Sequence, residues 1–230
     1  MESISAWAWG EPVRSCFALP RGRWGRLAGW LMLWTNRQRG LRELLDIRAG
    51  ERVLEIGYGP GGLIRVLTRT GAAQICGVDP SPQMRDLAVR RHRKHANGGR
   101  VDLRVGTAEH TGLPPASFDC VVSVSSVALW PDLSAGLREL HRVTRPGGRV
   151  VIAWHGGTRS WGIGRRLALP ERQLDVLEGR LAQEFTTVAR RELPTLTVFT
   201  AVNAEHKSPA RREGHQRPIH EDTPADRGRT

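Results

Sequence analysis

Val53-Leu54-Glu55-Ile56-Gly57-Tyr58-Gly59-Pro60-Gly61-Gly62 decides the fold. It reads as a buried strand running straight into a glycine-rich turn and then a helix, the place where α/β proteins hold a nucleotide. Glycine is needed there because a side chain would stop the backbone from turning sharply and approaching a ligand closely. The next apolar run, Gln74-Ile75-Cys76-Gly77-Val78, ends on Asp79. Asp79 lies about twenty residues beyond the turn, where an acidic side chain accepts hydrogen bonds from ribose hydroxyls. Two adjacent strand ends are therefore expected to point at one nucleoside.

Outward from this stretch the chain alternates. Strands are expected near 52–57, 74–79, 101–105, 118–124 and 149–154, with helices over 61–70, 81–95 and 133–144. Such alternation builds a parallel sheet covered by helices on both faces, because right-handed crossovers pack back over the strands. Arg172 to Glu184 reads as a last helix, and 185–192 and 196–202 as closing strands joined near Pro194. The flanks differ in character. Residues 1–20 lack periodic pattern and read as a loosely ordered leader. Residues 21–46 carry Leu27, Trp30, Leu31, Trp34, Leu41, Leu44 and Leu45 at helical spacing and read as an N-terminal helical cap. The domain proper is expected over 47–202. From 203 to 230 apolar residues almost vanish, so this tail is expected to be disordered, unable to offset its ordering entropy.

Gly57, Gly59 and Gly62 also satisfy the dinucleotide pattern G-x-G-x-x-G, which alone is weak. Glu55 stands two residues before the first glycine, where dinucleotide strands usually carry an apolar residue. Phe118-Asp119-Cys120-Val121-Val122-Ser123 and the run Leu140 to Ile152, containing Arg145-Pro146-Gly147-Gly148, follow in order. Together these resemble the class I S-adenosylmethionine-dependent methyltransferases, in particular the small-molecule branch that includes quinone-biosynthesis and natural-product enzymes. The resemblance covers about residues 40 to 155. It implies a doubly wound Rossmann-like α/β fold with a seven-stranded sheet of order 3-2-1-4-5-7-6 and one antiparallel edge strand. It also implies S-adenosyl-L-methionine as cofactor. Matched residue by residue, it places Glu55, Gly57, Gly59 and Gly61 around the methionine part, Asp79 on the ribose, Pro80 and Ser81 beside the adenosine, and Ser125 near the methionine portion. Thr107 stands where the family commonly has an acid facing the adenine amino group, with Ala108 against the ring. Asn36 would lie over the cofactor. Tyr58 either turns its ring toward the sulfonium, a cation that aromatic faces attract, or is an exposed turn residue.

Composition narrows the partners. The formal charge is +12, but the basic residues are nearly all arginine and are spread from end to end. That spread disfavours a nucleic-acid footprint, which concentrates on one face. The cluster Arg85, Arg90, Arg91, His92, Arg93, Lys94, His95 reads either as a solvated helix face or as an anion-binding surface. Three cysteines, widely spaced, read as small buried residues rather than a disulfide framework or metal site. No secretory signal or membrane-length apolar run is read, so a cytoplasmic protein is expected.

The acceptor side is less legible. Trp130, Trp154, His155, Trp161 and the Trp24–Trp34 helix are expected to line a pocket for a small organic acceptor: a secondary metabolite, a quinone or a lipid-like molecule. The same tryptophans suit an ordinary core. The Trp24–Trp34 helix, with Arg21, Arg23, Arg26 and Arg37, also suits contact with a membrane surface, and a homodimer partner is an alternative way to complete the lid. His155, ending the fifth core strand, is the candidate general base, against an ordinary loop histidine. Relatives often carry a histidine near the helix after the fourth strand, but here the stretch is Val127-Ala128-Leu129-Trp130. A non-catalytic S-adenosylmethionine-binding regulatory or partner subunit is therefore the alternative reading.

Overall fold

The computed structural model describes residues 4–8, 12–13, 41–160 and 162–204. Asn36, Trp24, Trp30, Trp34, Trp161, most of the expected 21–46 cap and residues 205–230 lie outside the described residues. The main sheet has seven strands: β3 (Arg52–Ile56), β4 (Gln74–Asp79), β5 (Val101–Val105), β6 (Phe118–Val124), β7 (Thr144–His155), β8 (Thr186–Glu192) and β9 (Leu196–Val202). Their spatial order is β5-β4-β3-β6-β7-β9-β8, which is 3-2-1-4-5-7-6 counted along the main sheet. The first five pair in parallel, and β9 runs antiparallel to both β7 and β8. The antiparallel strand is thus next to the edge, and β8 is outermost.

Residue alternation along each strand divides the core into two layers. Leu54, Ile56, Val78, Val121, Val150 and Ile152 face one layer, closed by α5 (Leu133–Val143) and α6 (Glu171–Glu184) through Leu137, Leu140, Leu174 and Leu177. Val53, Ile75, Leu103, Val122 and Val151 face the other, closed by α1 (Leu41–Leu45), α2 (Gly62–Leu67) and α3 (Pro82–Arg91). Central strand β6 is buried at all seven positions, as expected of a parallel strand covered on both faces.

Two departures from the sequence reading have local causes. The single helix expected over 81–95 is two, α3 and α4 (Arg93–Asn97), because His92 leaves helical geometry and tucks its ring under the glycine turn. The leader expected to be loosely ordered contains a pairing of β1 (Ile4–Ser5) with β2 (Pro12–Val13). Beside it the Trp7 indole donates to the Val127 carbonyl at 2.7 Å and Ala6 and Ala8 are buried. An indole with its N–H satisfied and small side chains in the core are what hold this segment.

The loop after β5 is pinned from beneath. Glu139 on α5 accepts from the Thr111 amide at 2.9 Å and from Arg142 Nε at 2.7 Å, while Arg142 Nη2 donates to the Leu113 carbonyl at 2.7 Å. The Arg142 guanidinium holds the Glu139 carboxyl at about 2. A carboxylate depressed in the folded chain adds stability above the ordinary carboxylate range and loses it as pH falls toward 2. Because Arg142 is partly exposed and screened, Glu139→Ala is expected to lower unfolding free energy by about 1–2 kcal/mol in urea titration near neutral pH.

Candidate functional site

The carboxyl ends of β3, β4, β6 and β7 converge, and the side chains there divide sharply into those that build the crevice and those left unsatisfied within it. At the end of β3, Gly57 has φ +75°, and its amide donates to the Val78 carbonyl at 2.7 Å. A Cβ on Gly57 would lie 2.4 Å from Ser126 Cβ. Ser126 is the clamp across the strand ends: its hydroxyl donates to the Ile56 carbonyl at 3.0 Å and is 2.8 Å from the Ser123 hydroxyl. Gly59, φ +51°, has open space where a Cβ would stand, and its amide donates to Asp79 Oδ2 at 2.8 Å. Asp79 Oδ1 accepts from the Ser81 amide at 2.9 Å. Burial pushes the Asp79 carboxyl up, and these two amides pull it back. A carboxylate has about four acceptor positions, so about two remain for donors on a ligand. Ser81 also caps α3, accepting from the Met84 amide at 3.3 Å, with Pro82 opening the helix and Pro80 exposed beside it.

Two buried polar atoms at these strand ends have no protein partner: Glu55 Oε2 and the Ser125 hydroxyl. Ser125 also has φ +57°, an uncommon conformation for a residue with a Cβ. Buried polar groups are overwhelmingly hydrogen-bonded, so orphaned atoms at neighbouring strand ends mark where a polar ligand belongs. Desolvation, with the Asp79 charge adding to it, raises the Glu55 carboxyl to about 8.

Other candidates have different tasks. Tyr58 is buried rather than an exposed turn residue. Its ring fills the space over Gly77, whose Cβ would be 2.7 Å from Tyr58 Cδ1, and its hydroxyl donates to the Arg104 carbonyl at 3.1 Å. Burial accordingly pushes the phenol above its ordinary range. Gly61, φ +82°, is turned toward α3, since a Cβ there would be 2.9 Å from His92 Nε2, so its lack of a side chain admits the histidine ring. Thr107 is exposed and its hydroxyl accepts from the His110 amide at 3.2 Å, while the Ala108 methyl is buried in the core. Trp130 and Trp154 are core residues rather than pocket walls. Trp130 packs on Gly136, and the Trp154 indole donates to the Leu167 carbonyl at 2.7 Å. His155 ends β7, half-buried and edge-on to Trp154 at 5.4 Å, and burial lowers its pKa.

Sequence reasoning gave Gly77 no role and read His92 only within a basic cluster. Gly77 carried a usable signal, because a glycine inside a strand often marks close approach of another group. Among the described residues no cluster of three or more His, Cys, Asp or Glu is placed to hold a metal, and no helix is long and apolar enough to cross a membrane.

The residues present fit S-adenosylmethionine. They offer an acidic acceptor with spare lone pairs for a ribose, a glycine turn open at Gly59, and an unpartnered acid and hydroxyl for the polar, cationic methionine part. Comparison with known proteins agrees. A methyltransferase domain model matches residues 54–152. An uncharacterized methyltransferase, YdaC, of Bacillus subtilis is 32% identical over 135 residues, covering 55% of this chain and 69% of that protein. A demethylmenaquinone methyltransferase of Tropheryma whipplei is 33% identical over 115 residues, covering 50% of this chain but less than half of that protein, 46%. The fold superposes on a Haemonchus contortus phosphoethanolamine N-methyltransferase 2 solved with S-adenosyl-L-methionine, with TM-score 0.65, 19% identity, and coverage of 85% of this chain and 62% of that one. Glycine turn, strand order and homology converge, and the chain belongs to the class I S-adenosylmethionine-dependent methyltransferases.

Proposed function

We propose that this chain transfers a methyl group from S-adenosylmethionine to a small organic acceptor of the quinone, secondary-metabolite or lipid-like kind. The observation that carries the donor side is the pair of orphaned acceptors, Glu55 Oε2 and the Ser125 hydroxyl, beside Asp79 at the strand ends. The bound donor supplies a methyl group on a sulfonium, which brings its own leaving group. The chain's part is then to bind, align and exclude water. Gly57 and Gly59 admit the methionine part, Asp79 holds the ribose, Ser125 accepts from the methionine end and Ala108 backs the adenine. The acceptor class is supported by the likeness to the demethylmenaquinone methyltransferase.

His155 is the proposed general base. It ends β7, beside β6, and the amide of Ser125, which follows β6, donates to the carbonyl of Ala153, two residues before His155. Burial lowers its pKa, which favours the neutral, proton-accepting form. For an acceptor that must lose a proton, His155→Gln is expected to lower kcat about 10²-fold. Donor affinity should be unchanged, as read by methyl-transfer assay beside calorimetry. Equal kcat in the variant with a hydroxyl acceptor would remove His155 from the mechanism.

One second reading is favoured by Thr107, whose neutral hydroxyl already serves the His110 amide and replaces the acid of relatives. It is a donor-binding regulatory subunit without turnover. Incubation with methyl-labelled donor and a panel of phenolic, quinol and lipid acceptors separates the two, because only the enzyme gives an acceptor-dependent labelled product.

A further inference from the structure

Glu55 is the least reconciled side chain among the described residues. It is 2% exposed on central strand β3, and its Oε2 is sealed from solvent without a hydrogen-bond partner. Its register neighbours offer nothing to bind: Gly77 on β4 has no side chain and Val122 on β6 is apolar. Asp79, at the end of β4, is the charged group that acts on it, and that action is repulsive. The Tyr58 phenol, also facing this region, is itself made harder to ionise by Glu55. Of the two acids, Asp79 is the one whose charge is hydrogen-bonded, by the Gly59 and Ser81 amides. A second carboxylate, buried and unpaired beside the first, is strongly disfavoured, so it keeps its proton. Burial and the Asp79 charge push its carboxyl to about 8.

Resting on the donor reading above, we propose that Glu55 selects for a positively charged ligand by exchanging its own proton for it. Glu55 is a neutral acid in the ligand-free chain and releases that proton to solvent when the cationic methionine part is taken in. The balance is one proton out for one positive charge in, with the carboxylate left facing the cation. A nucleoside lacking that charge leaves the proton in place. The acid therefore confers charge specificity that glycine turn and ribose acid alone do not, since those contacts are shared with neutral nucleosides.

The test is calorimetric titration of the full chain with S-adenosylmethionine between pH 6 and 7.5, at each pH in buffers of different ionisation enthalpy. About one proton is expected to be released per ligand bound, with affinity rising about tenfold per pH unit. 5′-Methylthioadenosine, which keeps adenine and ribose without the cation, should bind with no proton release. Glu55→Gln should bind the donor with buffer-independent heat and flat pH dependence. Binding of the donor with buffer-independent heat in the wild-type chain, or equal proton release with 5′-methylthioadenosine, would overturn the proposal while sparing the donor assignment. No binding of the donor at any pH would overturn both. A readout on the ligand-free chain stands apart from binding. Between about 4.5 and 8 the folded state holds a proton that the unfolded carboxyl has lost, so stability falls as pH rises through that window. Glu55→Gln should remove that fall from the thermal midpoint.

Discussion

Gly57→Val is expected to abolish donor binding, with a loss of more than about 10³-fold, and to destabilise the chain by about 3–5 kcal/mol. The space for a side chain does not exist: a Cβ would sit 2.4 Å from Ser126 Cβ and 2.6 Å from its hydroxyl oxygen. A β-branched residue is also a poor occupant of φ +75°. Relief of the clash means moving Ser126, which breaks the bond to the Ile56 carbonyl that holds β3 against β6 at the site. Calorimetry with S-adenosylmethionine, alongside urea unfolding, reads both effects. A double-mutant cycle isolates the cause. Gly57→Ala with Ser126→Gly should lose less stability than the sum of the single changes, because the second removes the atoms that the first strikes. Strict additivity would show that the clash with Ser126 is not what makes Gly57 necessary.

Asp79→Ala is expected to weaken donor binding roughly 10³-fold, since two charge-assisted bonds to ribose hydroxyls are each worth about 1.5–3 kcal/mol. The substitution also releases the Gly59 amide, so the turn loses its hold on β4. Asp79→Asn serves as the control. Its amide oxygen keeps one acceptor, so it should fall between wild type and alanine. Calorimetric affinities in that order, in variants with normal far-ultraviolet dichroism, are the expected result. Equal affinity in all three would take Asp79 out of the site.

Much of the fold was legible because it rests on short-range pattern. The runs ending at Ile56, Asp79 and Val124 are apolar, brief and bounded by glycine, proline or serine, which is how buried parallel strands look. Strand order came from family resemblance, because crossovers between β5, β6, β7 and β9 depend on packing that no local window encodes. The framework of the crevice was legible in part for the same reason. Gly57, Gly59 and Asp79 act largely through backbone geometry and one carboxylate, and their spacing carries that information. What spacing leaves open is direction. Tyr58 and Gly61 lie in the same turn, yet one side chain points down into the core against Gly77 and the other residue makes room for His92 from the helix behind. A turn's spacing does not reveal which side faces ligand. The tryptophans were open for a related reason, since aromatic residues suit a pocket wall and a core equally, and Trp130 and Trp154 lie in the core. Nothing in the sequence around Glu55 announced that its carboxyl would lack a partner, a property of what neighbouring strands fail to provide.

The strand-end crevice at Glu55, Gly57, Asp79 and Ser125 is expected to take S-adenosylmethionine. Titration of the purified chain with S-adenosylmethionine, S-adenosylhomocysteine and, separately, NADH tests it most directly. Saturable binding of both sulfur nucleosides at one site per chain is expected, lost in Asp79→Ala, with no binding of NADH. Binding of NADH with no response to either sulfur nucleoside would contradict it.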